Sequence, residues 1–188
     1  MSTLTTSRLM LRPLLESDLR VLAAAINNPS ISQYLARVPW PYDLDDAQAF
    51  FDYTRNLPPR SAIFALVPRG GDEPLVGMIS YETSTLETEL GYWLSEDRWG
   101  CGLMREAAHA VVEHAFAVSG LERLQSRCFI GNEASRRLLV ALGFRPVSIG
   151  RVFAPVAGKP VATHEFELSA REWRLLHPNS RRSKTLAP

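Results

Sequence analysis

The stretch that decides the fold runs from residue 89 to residue 106 and reads ELGYWLSEDRWGCGLMRE. Its first six residues, 89–94, are typical of a strand. Gly100 and Gly102 then precede the longest amphipathic segment of the chain. Glycine lets the backbone approach a ligand closely, and the first turn of a helix carries unpaired N–H groups with partial positive charge. The pattern fits an ordinary tight turn, but it favours an anion site suited to a phosphate or pyrophosphate.

The segment after the glycines is the clearest helix of the sequence. Its apolar residues form two adjacent rows, in each of which the residues are four positions apart, and together the rows make one wide face. The rows are Leu103, Ala107, Val111 and Ala115, beside Met104, Ala108, Val112 and Phe116. Two well-known phosphate motifs do not fit this helix entry. The Walker motif requires Lys and Ser or Thr after the glycine, and the dinucleotide fingerprint requires a third glycine where Arg105 stands.

Outside this segment, stretches in which apolar residues follow the helical period alternate with stretches in which they follow the strand period. We predict strands at residues 9–11, 62–67, 75–82, 89–94, 124–129, 148–153 and 163–168. We predict helices at residues 19–26, 47–57, 103–118 and 132–142. The order β-α-α-β-β-β-α-β-α-β-β indicates an α/β (α+β) fold, with a mixed, mostly antiparallel sheet of six to seven strands and about four flanking helices.

Composition restricts the class of protein but not its chemistry. A length of 188 residues predicts one domain. The 21 basic and 20 acidic residues leave a net charge of +1, which argues against a nucleic-acid-binding surface. No apolar run approaches a membrane span and no secretory signal opens the chain, so we expect a cytoplasmic protein. Cys101 and Cys128 have neither disulfide-scaffold nor metal-ligand spacing, and we expect no metal.

Four segments in order resemble a known family. Residues 89–94 and 99–107 are similar to the acetyl-CoA-binding core of the GNAT acetyltransferase superfamily, and residues 132–144 resemble its next motif. Residues 7–14 and 39–42 resemble the ribosomal-protein N-acetyltransferase (RimJ/RimL-like) branch in particular. The resemblance covers about residues 7–174, which we take as the domain. We expect residues 175–188, with Arg181, Arg182 and Lys184, to form a flexible tail.

The resemblance implies a GNAT fold with splayed central strands and a site for acetyl-CoA, used as the acyl donor. Backbone groups of the third strand of the meander would hold the pantetheine arm, and backbone N–H groups of the glycine loop would hold the pyrophosphate. Asn132 would contact the pantetheine, a role compatible with the helix N-cap that its residue type predicts. The implied donor-binding residues are Tyr92, Trp93, Leu94, Trp99, Gly100, Cys101, Gly102, Leu103, Met104, Asn132 and Ser135.

Amine acetylation needs a group that takes a proton from the amine and one that assists the departing sulfur. Glu89 is the candidate base, and its alternative role is that of a half-exposed strand carboxylate. Ser135 is the candidate acid. Some members of the branch use a glutamate in the strand after the Gly-Phe motif, but residues 150–154 contain no carboxylate. Trp40 and Tyr42, with Glu89, are candidates for the acceptor side.

The histidines of the long helix and the cysteine of the glycine loop are weaker candidates for a functional role. His109 lies on the polar row of the long helix, where a solvent-facing histidine is expected, and neither it nor His114 has a third ligand in metal spacing. Cys101 lies in the glycine loop, but no histidine is paired with it in the sequence, which argues against a covalent role.

The acceptor is open between several classes. The resemblance favours a protein N-terminal amine, as in the ribosomal-protein enzymes, acetylated by direct attack in a ternary complex. A small-molecule amine is the alternative, for which we expect a closed and acidic acceptor cleft. A non-catalytic acyl-CoA-binding module is the second alternative. A homodimer is possible, since dimers are common in the family.

Overall fold

Eight strands form one sheet in a computed structural model that describes residues 3–71 and 73–178. They are β1 (Leu4–Thr5), β2 (Leu9–Arg12), β3 (Ala62–Pro68), β4 (Gly77–Thr83), β5 (Thr88–Leu94), β6 (Arg123–Phe129), β7 (Arg145–Ala154) and β8 (Lys159–Ser169). Their order across the sheet is β1-β2-β3-β4-β5-β6-β8-β7. All neighbours are antiparallel except β5 and β6, which are parallel. The predicted mixed, mostly antiparallel sheet is confirmed, with one strand more than expected.

Six α-helices cover the sheet: α1 (Leu19–Ile26), α2 (Pro29–Ser32), α3 (Leu44–Thr54), α4 (Leu103–Ala117), α5 (Glu133–Ala141) and α6 (Ala170–Leu176). Periodicity in the sequence does not predict β1, α2 or α6, which have two, four and seven residues. Such short segments do not complete a recognisable period. Contacts fix α6 instead, because its Trp173 is only 1% exposed within the core.

The sheet separates two apolar cores. Phe64 and Leu66 of β3 pack on one face with α4, α5 and α6. Ile63, Ala65 and Val67 of the same strand pack on the other face with α1 and α3. A strand that is buried on both faces carries a continuous apolar run, which is why residues 62–67 do not alternate with polar ones.

The parallel contact between β5 and β6 is short. Glu89 opposite Gln125 is its single ladder position, and beside it the Ser126 hydroxyl donates to the Leu90 carbonyl at 2.9 Å. From Gly91 onward the described residues contain no further β5–β6 pair. The two strands therefore diverge, and the sheet has an opening at its centre, as the family resemblance implies.

The C-terminal part of the chain is only partly described. The tail expected at residues 175–188 begins inside α6, since Leu175 and Leu176 are helical. Residues 179–188, including Arg181, Arg182 and Lys184, lie outside the described residues. Within residues 3–71 and 73–178, none of the helices has the length and apolar character needed to cross a bilayer.

A substitution at Gly77 tests the close packing of β4 against β5. A Cβ added at Gly77 would lie 2.5 Å from the Trp93 carbonyl oxygen, whereas a Cβ at Gly71 would meet nothing within 4 Å. We expect Gly77→Ala to lower the free energy of unfolding by about 1–3 kcal/mol, as overpacking does, and Gly71→Ala to change it by less than about 0.5 kcal/mol. Urea unfolding measures both. Equal stability of the two variants would contradict the packing described here.

Candidate active site

A cavity of about 750 Å³ fills the opening between β5 and β6 on the α4 and α5 side. We call it the donor cavity. Its walls are residues 90–94 of β5, residues 126–129 of β6, the loop before α4, the start of α5, and residues 30–35 at and after α2. The structure gathers around it all the donor-binding residues predicted from the sequence except Cys101: Tyr92, Trp93, Leu94, Trp99, Gly100, Gly102, Leu103, Met104, Asn132 and Ser135.

The loop before α4 has the backbone geometry of an anion site. Gly100 and Gly102 have φ values of 74° and 75°, in the left-handed region that favours glycine. Gly102 is the N-cap of α4, and the first helical hydrogen bond runs from the Glu106 N–H to its carbonyl (3.1 Å). The N–H groups of residues 103–105 precede that bond and are left for another acceptor. They lie at the positive end of a 15-residue helix beside the donor cavity.

Arg8 holds this loop in place, a role that the sequence does not indicate. Its guanidinium donates to the Cys101 carbonyl at 2.8 Å and to Glu106 at 2.7 Å. The backbone N–H of Arg8 and the hydroxyl of Ser7 also donate to Glu106, each at 2.8 Å. Cys101 itself is exposed and does not line the cavity, so its carbonyl and not its thiol is tied to the rest of the site.

The carboxylate of Glu106 is held in its charged form. Burial raises its pKa, but hydrogen bonds from Thr6, Arg8 and Ser7 outweigh burial and lower the pKa to about 2. A carboxylate with these donors stabilises the fold while it is ionised. The start of β2 and the start of α4 are therefore joined by a charged contact at neutral pH.

A second cavity, of about 530 Å³, lies on the opposite face of the sheet, under α1 and α3. We call it the acceptor cavity. Glu89 and Tyr42, predicted for the acceptor side, both line it, and Tyr42 is only 5% exposed. Trp40 is 38% exposed and is not among the lining residues. Gly91 and its neighbours Tyr92 and Trp93 line both cavities, so the two meet at β5.

Glu89 is enclosed and ion-paired. Its side chain is 18% exposed and lies 2.9 Å from the Arg127 Nε and 3.3 Å from an Arg37 guanidinium nitrogen. Burial raises the pKa of Glu89, the two arginines oppose that effect, and the nearby Glu87 and Glu82 add to it. The net effect is a raised pKa of Glu89, so this carboxylate binds a proton more readily than an exposed one does.

Ser135 lies at the start of α5 in the donor cavity. Its N–H donates to the Asn132 side-chain oxygen at 3.1 Å, so the predicted N-cap is confirmed. Its hydroxyl lies 2.8 Å from the Tyr92 hydroxyl, and burial raises the pKa of Tyr92 above its usual range. The sequence indicated only a backbone role for Tyr92, because a contact between β5 and α5 has no signal in local spacing.

The two histidines of α4 contact aromatic residues of the fold. His109 is exposed, as predicted, and its ring lies tilted against that of Trp173, with 4.8 Å between the ring centroids. His114 is buried, and its Nδ1 lies 2.7 Å from the Tyr81 hydroxyl. Neither residue lines either cavity.

The arrangement of loop, helix and divergent strands matches a known family. Residues 8–145 match the family model described as an acetyltransferase (GNAT) domain. The chain belongs to the GNAT family. It is therefore an acyltransferase enzyme, of a family that uses acetyl-CoA.

Known acetyltransferases resemble this enzyme over the whole chain or over part of it. It is 25% identical over 175 residues to the uncharacterized N-acetyltransferase YoaA of Bacillus subtilis (strain 168), covering 88% of this chain and 95% of YoaA. It is 34% identical over 77 residues to the ribosomal-protein-serine acetyltransferase of Escherichia coli (strain K12), covering 39% of this chain and 42% of that protein. The structure of Mycobacterium smegmatis RimJ in complex with CoA-disulfide superposes with a TM-score of 0.76 at 16% identity, over 94% of each chain, and shares the fold.

The Glu106 contact predicts an acid-sensitive contribution to stability. Because the pKa is lowered from 4.5 to about 2 in the folded enzyme, the contribution is complete above about pH 4.5 and is lost as pH falls towards 2. We expect Glu106→Gln to lower the melting temperature at pH 7, with the difference from the wild type closing between pH 4.5 and pH 2. The exposed Glu122→Gln is the control, and a Glu106→Gln deficit that does not change with pH would contradict the charged contact.

Proposed function

We propose that this enzyme transfers the acetyl group of acetyl-CoA directly to a primary amine, and that the favoured acceptor is a protein N-terminus of the ribosomal type. The observation that carries the proposal is the meeting of two cavities at Gly91, with an anion site in one and a partly buried carboxylate in the other. Two substrates bound in these cavities would lie on either side of one strand, as direct transfer in a ternary complex requires.

The donor cavity fits the parts of acetyl-CoA. The free N–H groups at the start of α4 would bind the pyrophosphate, and the diverging backbone of residues 91–94 would pair with the amides of the pantetheine arm. That arm replaces the missing partner strand, since β5 has no β6 partner there. The thioester would then reach Gly91, with Ser135 close to its sulfur.

The chemical step uses groups from both cavities. The acceptor arrives as an ammonium and loses a proton to Glu89, directly or through one water molecule. Its nitrogen forms the new bond to the acetyl carbon, the C–S bond breaks, the nitrogen loses its second proton to solvent, and the sulfur takes a proton from the Ser135 hydroxyl. Solvent then removes the proton from Glu89 and restores the one on Ser135. The Tyr92 hydroxyl, hydrogen-bonded to Ser135, keeps the serine turned towards the reacting atoms.

The kind of acceptor rests on two different observations. Similarity to the ribosomal-protein-serine acetyltransferase of Escherichia coli over 77 residues supports a protein N-terminus. A small amine is the second candidate, because Asp46, Glu82 and Glu89 outnumber Arg37 and Arg127 in the lining of the acceptor cavity. Its volume lies within the range of small-molecule sites.

A turnover assay separates these functions. The assay measures the CoA released from acetyl-CoA in the presence of each acceptor. The peptide acceptors are tetrapeptides that begin with Ala, Ser, Leu or Phe. The small-molecule acceptors are phenethylamine, tyramine, lysine and an aminoglycoside. We expect release with the peptides above that with the small amines. Faster release with a small amine would replace the favoured acceptor by the second candidate. Binding of CoA without release for any acceptor would leave only a non-catalytic module.

Glu89→Gln tests the base. We expect kcat to fall by on the order of 100-fold or more, as removal of a general base does, while the affinity for acetyl-CoA stays within about twofold. In the wild type, activity requires the ionised carboxylate, so the raised pKa of Glu89 predicts an acid limb of kcat/KM at a higher pH than that of an ordinary glutamate. Glu122→Gln, at an exposed position outside both cavities, is the matched control. An unchanged kcat in Glu89→Gln would remove Glu89 from the mechanism.

A further inference from the structure

The acceptor cavity contains a second carboxylate beside Glu89. Glu82 of β4 lies directly opposite Glu89 in the antiparallel β4–β5 register, and opposed residues share one face of a sheet. Both side chains line the acceptor cavity, together with Ser80 of β4. Glu82 belongs to none of the sequence motifs that carry the family resemblance.

The two carboxylates differ in their partners. Glu89 is paired with two guanidinium groups. Glu82 accepts hydrogen bonds from the Tyr53 hydroxyl at 2.8 Å and from the Ser80 hydroxyl at 3.0 Å. No Arg, Lys or His side chain of residues 3–71 and 73–178 forms an ion pair with it. Neutral hydroxyls orient a carboxylate without cancelling its charge, and an ionised carboxylate has further lone pairs to offer.

We infer that Glu82 binds the protonated amine of the acceptor and holds it next to Glu89. The inference rests on the proposed amine acetylation and names the part of the site that recognises the substrate's charge. An ammonium is attracted to the carboxylate whose charge is not neutralised, whereas at Glu89 it meets two positive groups. Glu82 thus binds the cation, and Glu89 receives its proton.

The geometry of β5 fits this division of roles. Two positions further along the two strands, on the same face of the sheet, Ser80 lies opposite Gly91. Gly91 has no side chain, and it lies two residues from Glu89, about 7 Å along a strand. An amine held at Glu82 is therefore one short step from the place where the two cavities meet. After transfer of its proton to Glu89, the nitrogen lone pair is free to form the bond to the acetyl carbon.

The walls of the acceptor cavity indicate what the amine is attached to. Apolar side chains make up most of the lining of the acceptor cavity, and its aromatic members are Tyr34, Tyr42, Phe50, Tyr53, Trp93 and Phe129. Burial, with Asp46 and Asp43 nearby, raises the pKa of Tyr42 to about 12, so this wall stays uncharged at neutral pH. The structure fits an acceptor with one ammonium and an apolar group on the carbon that bears it, such as an N-terminal residue with an apolar side chain.

Steady-state kinetics of Glu82→Gln with the Phe tetrapeptide and phenethylamine test the inference. We expect KM for each amine to rise at least tenfold, because a hydrogen bond to a charged group is lost, while kcat changes less than threefold. Phenethyl alcohol, the uncharged analogue, should inhibit wild type and variant equally. The matched control is Glu122→Gln, which removes the same charge from an exposed residue outside both cavities and should leave KM within twofold.

Each other outcome has a defined meaning. An unchanged KM in Glu82→Gln, or a fall in kcat at constant KM, would overturn the inference, the second because it would place Glu82 in the chemical step. Acetyl-CoA affinity, measured by calorimetry, shows that the variant is folded, and Glu82→Asp should recover part of the lost affinity for the amine. No turnover by the wild type with any amine would overturn the proposed function as well. Turnover with KM insensitive to Glu82 would overturn only the inference.

Discussion

The parallel pairing of β5 with β6 ends after one position, and the active site depends on that early end. Backbone N–H and C=O groups in a sheet must have partners, so a strand that loses its neighbour in the middle of a sheet exposes groups that a ligand can bind. Ser126 marks the place, since its side chain and not its backbone donates to a β5 carbonyl. The donor cavity, the loop before α4 and the start of α5 are all arranged around the gap that follows.

The alternation of β5 then divides the chemistry between two faces. Glu89, Gly91 and Trp93 belong to one face, and Leu90, Tyr92 and Leu94 to the other. The first set faces α1 and α3 and the acceptor cavity, while the second faces α4 and α5. Gly91 has no side chain to separate the two sides, and residues 90–93 of the strand line both cavities.

Electrostatics at the site come mostly from oriented groups and not from net charge. The net charge of +1 gave no hint of an anion site, because the α4 start attracts phosphate with backbone N–H groups. Arg8 and Glu106 are charged, but they act on each other and on the loop backbone. In the acceptor cavity, the difference between Glu82 and Glu89 lies in their partners, since both are the same residue type on neighbouring strands.

The sequence by itself determined the order of the longer elements, the glycine loop, the N-cap of α5 and the family resemblance, because each of these depends on residues close together in the chain. Helical rows and paired glycines are local patterns that a single sequence displays. Tertiary structure decided the rest: the helix α6 held by Trp173, the support of the loop by Arg8, the contact of Tyr92 with Ser135, and the position of Glu82 opposite Glu89. These contacts join residues distant in the chain, from 7 apart for Glu82 and Glu89 to 98 apart for Arg8 and Glu106. The spacing of residues along the chain does not show which strand lies beside which. Only the packed sheet brings the residues of these contacts together.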